Sequence, residues 1–556
     1  MPTLQKKIVK GNTYWYITTS KRINGKPTPI ILKYLGTIEN ILKQSNLTED
    51  GSVKYKSYSH GAVYALWKIA EKYNILSIMR KYFKSNSKSG IDVSTSLLLG
   101  AIHRACDGGG SKRSFSEFAR ETTLPEIADF KSDKITSQHF WDQMDKVELE
   151  EIESYQKDFT RELQGNKIIG FEKLSFDTTN FFTYIDSGNN RSKLARRGHN
   201  KQKRNDLRQF SLGLLVSKNF LIPLSAYVYE GNITDQSVIS PYIKSFKKNI
   251  NTLTEADKVT VIFDKGGCSK GNLRDIQDEG FHYICAFSLT HKKDLVEIPL
   301  SDYETKKVND KDILLLRKEE NIWDKKRTVL LYYSSKLHQG QIRGLNKSIK
   351  DKKEKLMSLQ ETLKNPRTGI KTRAQLEKKL SDIIKGEHGT ELFKIKIRRK
   401  KPLSFDFSFD TSRYDYITGE IFGKKAIITD RSDWSTEDIL SSYFSQSDIE
   451  KVFRHVKNPD HNTIRPQFHW TDQKIHVHVF ICLLGFMLTC LLQKELQDKG
   501  FIAEKEKIID TLMKVRQYNT FRLGNNRKSK MVNTKLEEMD EYETQCYNAL
   551  LKAVGK

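Results

Sequence analysis

At Lys173 the chain changes its period, and that change limits the folds open to it. Residues 59–165 carry apolar side chains at helical spacing, as in Ala62, Leu66, Ile69 and Ala70, then Leu76, Ile78 and Met79. After Lys173 three strand-like stretches follow, Lys173–Ile185, Phe210–Ser217 and Phe220–Tyr229, the last two joined by a short turn containing Asn219. A helical stretch at about 235–249, a strand at Val259–Phe263, a helix at Lys270–Glu279 and a strand at Tyr283–Leu289 come next. Hairpin-type strands followed by β-α-β units predict a mixed sheet with helices on its faces. No repeat at solenoid spacing competes with this reading.

The flanking regions read differently. Residues 1–40 are β-rich: Tyr14, Tyr16 and Thr18 alternate with Trp15, Ile17 and Thr19, Asn24-Gly25 supplies a turn, and Pro29–Leu35 is a second apolar run. Residues 41–55 are polar and read as a linker, and Asp107-Gly108-Gly109-Gly110 breaks the helical region. Residues 290–430 look foreign to the sheet. Leu345, Ile349, Leu356, Leu359 and Leu363 mark one helix, and Leu376, Leu380, Ile383 and Ile384 a second, with Asn365-Pro366-Arg367-Thr368-Gly369 turning between them. At under three heptads each, they predict an intramolecular helical hairpin, with short strands such as Lys425–Thr429 after it. A long helix is expected from Ser435, where Ser435 and Asp438 form a capping-box-like start.

With 556 residues the chain has room for about three to five structural units. The net charge of +26 favours nucleic acid as partner, with an anionic membrane second. The longest apolar run, Val479 to Leu492, is 14 residues, short of the roughly 20 that a bilayer span needs, and His478 and Lys494 close its ends. No signal-peptide pattern stands at the start, and the six cysteines form no C-x-x-C pair, so a cytoplasmic protein without a membrane partner is expected. No phosphate loop of the nucleotide-hydrolase type is visible, so no ATP is expected.

Three carboxylates stand out. Asp177 lies inside an apolar strand, where aspartate is disfavoured. Asp264 ends a strand and opens into Lys265-Gly266-Gly267, the place where α/β sheets put their sites. Glu450 lies on the helix from Ser435, whose apolar face is Ile439, Leu440, Ile449, Val452, Phe453 and Val456; Tyr443, Glu450 and Lys457, seven apart, are expected on one stripe with Gln446 and Arg454 beside it. Each has a plain alternative: a turn former, an edge residue, or surface pairing at i,i+4. Together, in a basic chain, they suit Mg²⁺, and two such ions about 3.5–4 Å apart can clamp a phosphodiester. Between the first two strands, Arg191, Lys193, Arg196, Arg197, Lys201, Lys203, Arg204 and Arg208 are opposed only by Asp206, a net +7 over 18 residues that reads as a phosphate track. His461, His469, His476 and His478 lack a usual zinc ligand set and are expected in the core or facing DNA, and Asp186 before Gly188 reads as a turn residue.

The pieces Leu174-Ser175-Phe176-Asp177-Thr178-Thr179, Phe263-Asp264-Lys265-Gly266-Gly267 and Tyr443-x₂-Gln446-x₃-Glu450-x₆-Lys457 resemble DDE transposases of bacterial insertion sequences, in the branch with a Tyr-x₂-Arg-x₃-Glu-x₆-Lys signature. Gly231-Asn232 with Asp235, Phe453-Arg454, Arg465-Pro466 with His469-Trp470, and Gly25-Lys26-Pro27 through Leu35-Gly36 extend the resemblance over about residues 5–495. Gln446 departs from the signature arginine, and nearby Arg454 is the residue placed to compensate.

The resemblance implies a multidomain α/β chain. Its RNase H-like mixed sheet with flanking helices is interrupted by a large α+β insertion and preceded by β-rich and helical regions. The division implied is 1–55 β-rich with DNA contact, 56–168 helical for end binding and assembly, 169–300 and 431–498 core, 301–430 insertion, and 499–556 a helical tail. Asp177, Asp264 and Glu450 would be the catalytic, metal-binding triad for two Mg²⁺ ions, with Mn²⁺ substituting. The activity implied is cutting at transposon terminal inverted repeats and joining of 3′-hydroxyls to target DNA, without a covalent protein–DNA intermediate, by a homodimer on double-stranded DNA associated with the bacterial nucleoid. Tyr443 and Lys457 would contact DNA backbone. Trp434 would stack on a displaced base, or serve only as a hydrophobic staple at the helix start. The rival readings are a transposase-derived DNA-binding protein that does not cut and an RNase H-like structure-selective nuclease.

Overall fold

The computed structural model describes residues 2–9, 12–23, 26–38, 40–41, 53–84, 91–108, 110–200, 203–250, 259–365, 367–398, 403–459, 462–523 and 529–555. At the start of the chain β1 (Thr3–Val9), β2 (Asn12–Ile23) and β3 (Lys26–Gly36) form an antiparallel sheet. The expected Asn24-Gly25 turn and most of the expected linker lie outside the described residues; the linker's end is a strand, β4 (Val53–Ser59). Helices follow at Gly61–Lys72, Ile75–Tyr82, Val93–Cys106, Phe115–Glu121, Ser137–Met144 and Leu149–Gly165. In the glycine break between them Gly108 has φ 54°, and Gly109 lies outside the described residues.

The central sheet begins with β5 (Lys173–Thr183), β6 (Arg208–Ser217) and β7 (Pro223–Glu230), an antiparallel meander. β8 (Thr260–Phe263) runs parallel to β5, and β9 (His282–Phe287) parallel to β8. Next come β10 (Glu304–Val308), β11 (Lys311–Ile322), β12 (Lys325–Tyr333), the hairpin pair β13 (Phe393–Ile397) and β14 (Phe405–Phe409), and β15 (Lys424–Thr429). The nine strands stand in the order β10-β11-β12-β15-β9-β8-β5-β6-β7, a large mixed sheet in a mixed α/β chain.

This order corrects one expectation. Residues 290–430 are not foreign to the sheet, because β10, β11, β12 and β15 extend it. Ile427 pairs with Ala286 and Ile428 with Cys285, so the edge that β9 would otherwise expose is covered by a strand over 130 residues later. What stands apart is the segment between β12 and β15. There the helices Ser335–Lys364 and Arg373–Ile384 bury Leu345, Leu356, Leu363, Leu376 and Leu380 with Phe393 and Phe405 in a core of their own, as the intramolecular hairpin reading requires.

Two further expectations change. The long helix from Ser435 is broken into Thr436–Ser445, a 3-10 turn Gln446–Asp448, and Ile449–His455. Ser445 Oγ donates to Ser442 O at 2.7 Å and Ser447 Oγ to Phe444 O at 2.8 Å, and such back-bonding competes with a straight helix. Tyr443, Glu450 and Lys457 therefore do not share one helical stripe. The expected helical tail contains the hairpin β16 (Arg516–Leu523) and β17 (Ser529–Leu536) between the helices Lys505–Lys514 and Glu541–Ala553. β16 pairs with β4, closing a sheet from opposite ends of the chain.

The apolar run of residues 479–492 belongs to the helix Asp472–Asp498, which at 27 residues is long and apolar enough to cross a membrane, longer than the run alone implied; 94% of its apolar window is buried. Helices Gly61–Lys72, Val93–Cys106, Leu149–Gly165, Lys505–Lys514 and Glu541–Ala553 pack around it, so it forms the centre of the helical layer beside β7.

Candidate functional site

Strand register brings two of the three acids together. Leu174 of β5 stands opposite Val261 of β8, and Ser175 opposite Ile262. Two residues further along come Asp177 and, one residue past the end of β8, Asp264, so both continue the face of Ser175 and Ile262. β8 ends at Phe263, and Asp264 caps the turn after it, its Oδ1 accepting from Gly266 N at 2.9 Å. A Cβ on buried Gly267 would stand 2.0 Å from Ile239 Cδ1, so the glycine lets helix Asp235–Ile250 approach the acid turn.

The third acid arrives on helix Ile449–His455, which buries Ile449, Val452 and Phe453, packs on β5, and leaves Glu450 exposed. Electrostatics register the convergence. Burial pushes the Asp177 carboxyl up to about 7, against a 2.8 Å hydrogen bond from Thr178 N, and the charges of Asp264, Asp235 and Glu450 raise it further. Among the described residues, none of these four carboxylates has an ion-paired lysine, arginine or histidine. In a chain of net charge +26 that is unusual, since four acids influence one another here and, among the described residues, none is in an ion pair.

Asp235 is the member that the sequence reading gave no role. It begins its helix, and its Oδ1 accepts from Tyr229 OH at 3.0 Å. Its position just after Gly231-Asn232, at the end of β7, was the available signal.

In kind, these oxygens fit a hard cation: they are anionic donors, and burial, with the charges of its neighbours, raises the pKa of one of them. In position, the side chains do not close on an ion as they stand. Among the described residues no group of three or more His, Cys, Asp or Glu side chains is tight enough to hold one.

Beside the acids opens a cleft of about 400 Å³, bounded by Thr178, His199, Asn200, Asp235, Lys457 and Arg465. Lys457 Nζ donates to Thr179 Oγ1 and lies 5.3 Å over the Phe181 ring. Arg465, which had no assigned role of its own, lies 5.9 Å from the Phe182 ring. Tyr443 is half-buried; its phenol pKa is raised by burial, by Tyr332 and by the charge of Asp264, so it stays neutral near the acids. Gln446 opens the 3-10 turn and Arg454 is exposed on the Glu450 helix.

The basic segment is a structured loop. Asp472 holds its beginning, accepting from Ser192 Oγ at 2.6 Å, Lys193 N at 2.9 Å and Leu194 N at 3.1 Å. Arg196 N and Gln209 O pair at 2.9 Å, and Gln209 Nε2 donates to Gly231 O at 2.8 Å. Several of the expected phosphate contacts have protein partners instead: Arg204 forks onto Asp206 at 2.9 and 2.8 Å, and Arg208 holds the carbonyls of Asn189 and Ser187. Arg191 lies 5.8 Å from the Trp470 ring, Arg197 donates to Ser187 Oγ at 3.4 Å, and Lys203 is exposed; Lys201 lies outside the described residues.

Trp434 sits with Lys173 at 4.5 Å and Arg431 at 5.2 Å over its ring. Lys173 is the first residue of β5, about 13 Å of strand from Asp177. His469 and His478 are buried with rings 4.6 Å apart; burial first, then nearby cations including Lys112 and Arg104, hold both neutral. His461 lies outside the described residues. Asp186 Oδ1 accepts from Gly188 N at 2.7 Å, the expected turn.

No known family model matches the chain, and no curated protein matches it. Among solved structures it is similar to a piggyBac transposase synaptic complex with hairpin DNA, at 8% identity and a TM-score of 0.39, over 81% of this chain and 79% of that one. A likeness of that size carries no conclusion about this chain.

Proposed function

We propose that the chain is a DNA transposase of the three-carboxylate, metal-dependent class, like those of bacterial insertion sequences with the Tyr-x₂-Arg-x₃-Glu-x₆-Lys signature. The observation that carries the reading is the convergence of Asp177, Asp264 and Glu450, without an ion-paired cation among the described residues, in a strongly basic chain. The order β7-β6-β5-β8-β9, an antiparallel meander continued by two parallel strands, supports an RNase H-like core.

In this reading Asp177, Asp264 and Glu450 would hold Mg²⁺, or Mn²⁺ in its place, once their side chains close on it, and Asp235 would add to the field that attracts it. Bound there, two such ions supply charge stabilisation for the attacking and leaving oxygens of a phosphodiester. The chain's own groups do the rest. Asp177 is the ligand whose ionisation burial and the charges of Asp264, Asp235 and Glu450 oppose, and a bound cation would favour its ionised form. Gly266 N fixes one oxygen of Asp264 and so orients the other. Lys457 and Arg465, on the cleft wall, neutralise phosphates of the bound strand, and Tyr443 offers a neutral hydroxyl to the backbone. A homodimer would pair two terminal inverted repeats and deliver both 3′-hydroxyls to target DNA in the cytoplasm.

The test is incubation with a plasmid carrying the flanking terminal repeats, with Mg²⁺ or with EDTA, followed by mapping of strand ends. Metal-dependent cuts at the repeat tips, absent in Asp264→Asn although that variant still binds DNA, are expected. An Asp264→Asn protein that still cuts removes the assignment. Binding without cutting in any divalent metal leaves a DNA-binding derivative.

A further inference from the structure

The first sheet of the chain is largely exposed among its described residues. All seven residues of β1 are exposed, and among the described residues no other element packs substantially against β1, β2 or β3. Leu4 is 60% exposed, Ile8 66% and Ile31 58%. A small sheet with both faces in water is at best marginally stable and needs a partner surface.

Charge selects the partner. Residues 1–36 contain seven lysines and arginines and no aspartate or glutamate. A second copy of the sheet would bring like charges together, whereas a polyanion releases counterions on contact. Register then sorts the side chains. Lys6 stands opposite Trp15, Leu4 and Lys33 both stand opposite Ile17, and Lys21 stands opposite Thr28. Residues opposite one another share a face, so one face presents Lys6, Lys21 and Lys33, one from each strand, around Leu4, Ile8, Trp15 and Ile17, while Lys7, opposite Tyr14, lies on the other. The other face gathers Tyr14, Tyr16 and Tyr34, with ring centroids 6.2 and 5.1 Å apart. The outer strands β1 and β3 lie about 10 Å apart between axes, comparable with the roughly 12 Å between the phosphate walls of the major groove of B-form DNA.

We propose that the lysine face of sheet β1-β2-β3 seats in the major groove of double-stranded DNA, with Lys6, Lys21 and Lys33 on phosphates and Trp15 toward the base edges. The inference rests on the DNA partner proposed above, and it adds a docking surface separate from the acid site.

The test uses the full-length protein and a 40-base-pair DNA duplex of arbitrary sequence, with binding followed by fluorescence anisotropy between 50 and 200 mM KCl. Each phosphate contact contributes a slope of about 0.9 in log affinity against log salt. Replacing all three lysines by alanine should flatten the slope by about 2.7, so the wild type loses about 40-fold more affinity than the variant across that range. The triple arginine variant should keep the wild-type slope. An unchanged slope in the alanine variant overturns the proposal, as does an arginine variant as flat as the alanine one. Equal lysine-dependent binding to an RNA duplex, whose major groove is too narrow, also overturns it. So does a DNA-free dimer that the substitutions dissolve, since that identifies a second copy as the occupant. Wild-type protein that binds DNA with this slope but never cuts removes the transposase reading and leaves the sheet assignment standing.

Discussion

Replacing Asp177 by asparagine should make the metal-free protein more stable at alkaline pH, although the residue is proposed as indispensable to activity. Burial and the charges of Asp264, Asp235 and Glu450 raise its pKa from 3.8 to about 7, so the folded state binds the proton more tightly than the unfolded chain does. The stability from that proton is complete below the unfolded value and is lost as pH climbs toward 7. Between pH 5 and pH 8 about two units of this shift are spent, a ceiling of about 2.7 kcal/mol at about 1.4 kcal/mol per unit. Asp177 is only half-buried and its neighbours are exposed, so solvent screening leaves about 1–2 kcal/mol. Asparagine keeps the shape and cannot ionise. In EDTA, its Tm relative to the wild type should therefore rise between pH 5 and pH 8, at about 2–4 °C per kcal/mol for a cooperative unit of 150–250 residues. Adding Mg²⁺ or Mn²⁺ at pH 8 should raise the wild-type Tm and leave the variant unmoved. A Tm difference that is the same at both pH values refutes the shared-charge account of the site.

Other substitutions separate the scaffold from the interface. Gly231→Ala should disrupt the loop behind the cleft at a cost of about 3 kcal/mol or more, because the new Cβ would stand 2.0 Å from Gln209 O; a thermal melt like the wild type's contradicts this. Arg197→Ala with Lys203→Ala should flatten the salt dependence of DNA binding by up to about 1.8 without lowering Tm, whereas Arg208→Ala should lower Tm because its guanidinium holds two loop carbonyls. Glu495 is buried, which raises its pKa, but hydrogen bonds from Lys72 and Tyr73 outweigh burial and hold its carboxyl below the usual range. Glu495→Gln should therefore cost about 1–3 kcal/mol near neutral pH, with the difference shrinking as pH falls below the ordinary 4.5 and through the lower folded pKa; an equal deficit at pH 3 and pH 7 refutes it.

Local pattern carried much of this protein. The strands β5 to β7, the N-cap at Ser435, the leucines of the hairpin 335–384 and the turn at Asp186 depend on neighbours a few residues away, and the chain shows them directly. Asp177 and Asp264 drew attention too, because an aspartate inside an apolar strand and one at a strand's carboxyl end are out of place by local rules. What the sequence left open depends on distant partners. β15 covers β9, and β16 finds β4 from the far end of the chain, pairings between open edges that no local period encodes. The break at Gln446–Asp448 moved Glu450 and Lys457 off a common stripe. Asp235 joins the acid cluster only because β7 returns it beside β5's neighbours, and Arg204 and Arg208 turn inward onto Asp206 and backbone carbonyls. Residue type announced which groups are costly to place. Only the folded sheet decides which of them share a field, because charge acts through space and the chain order does not record it.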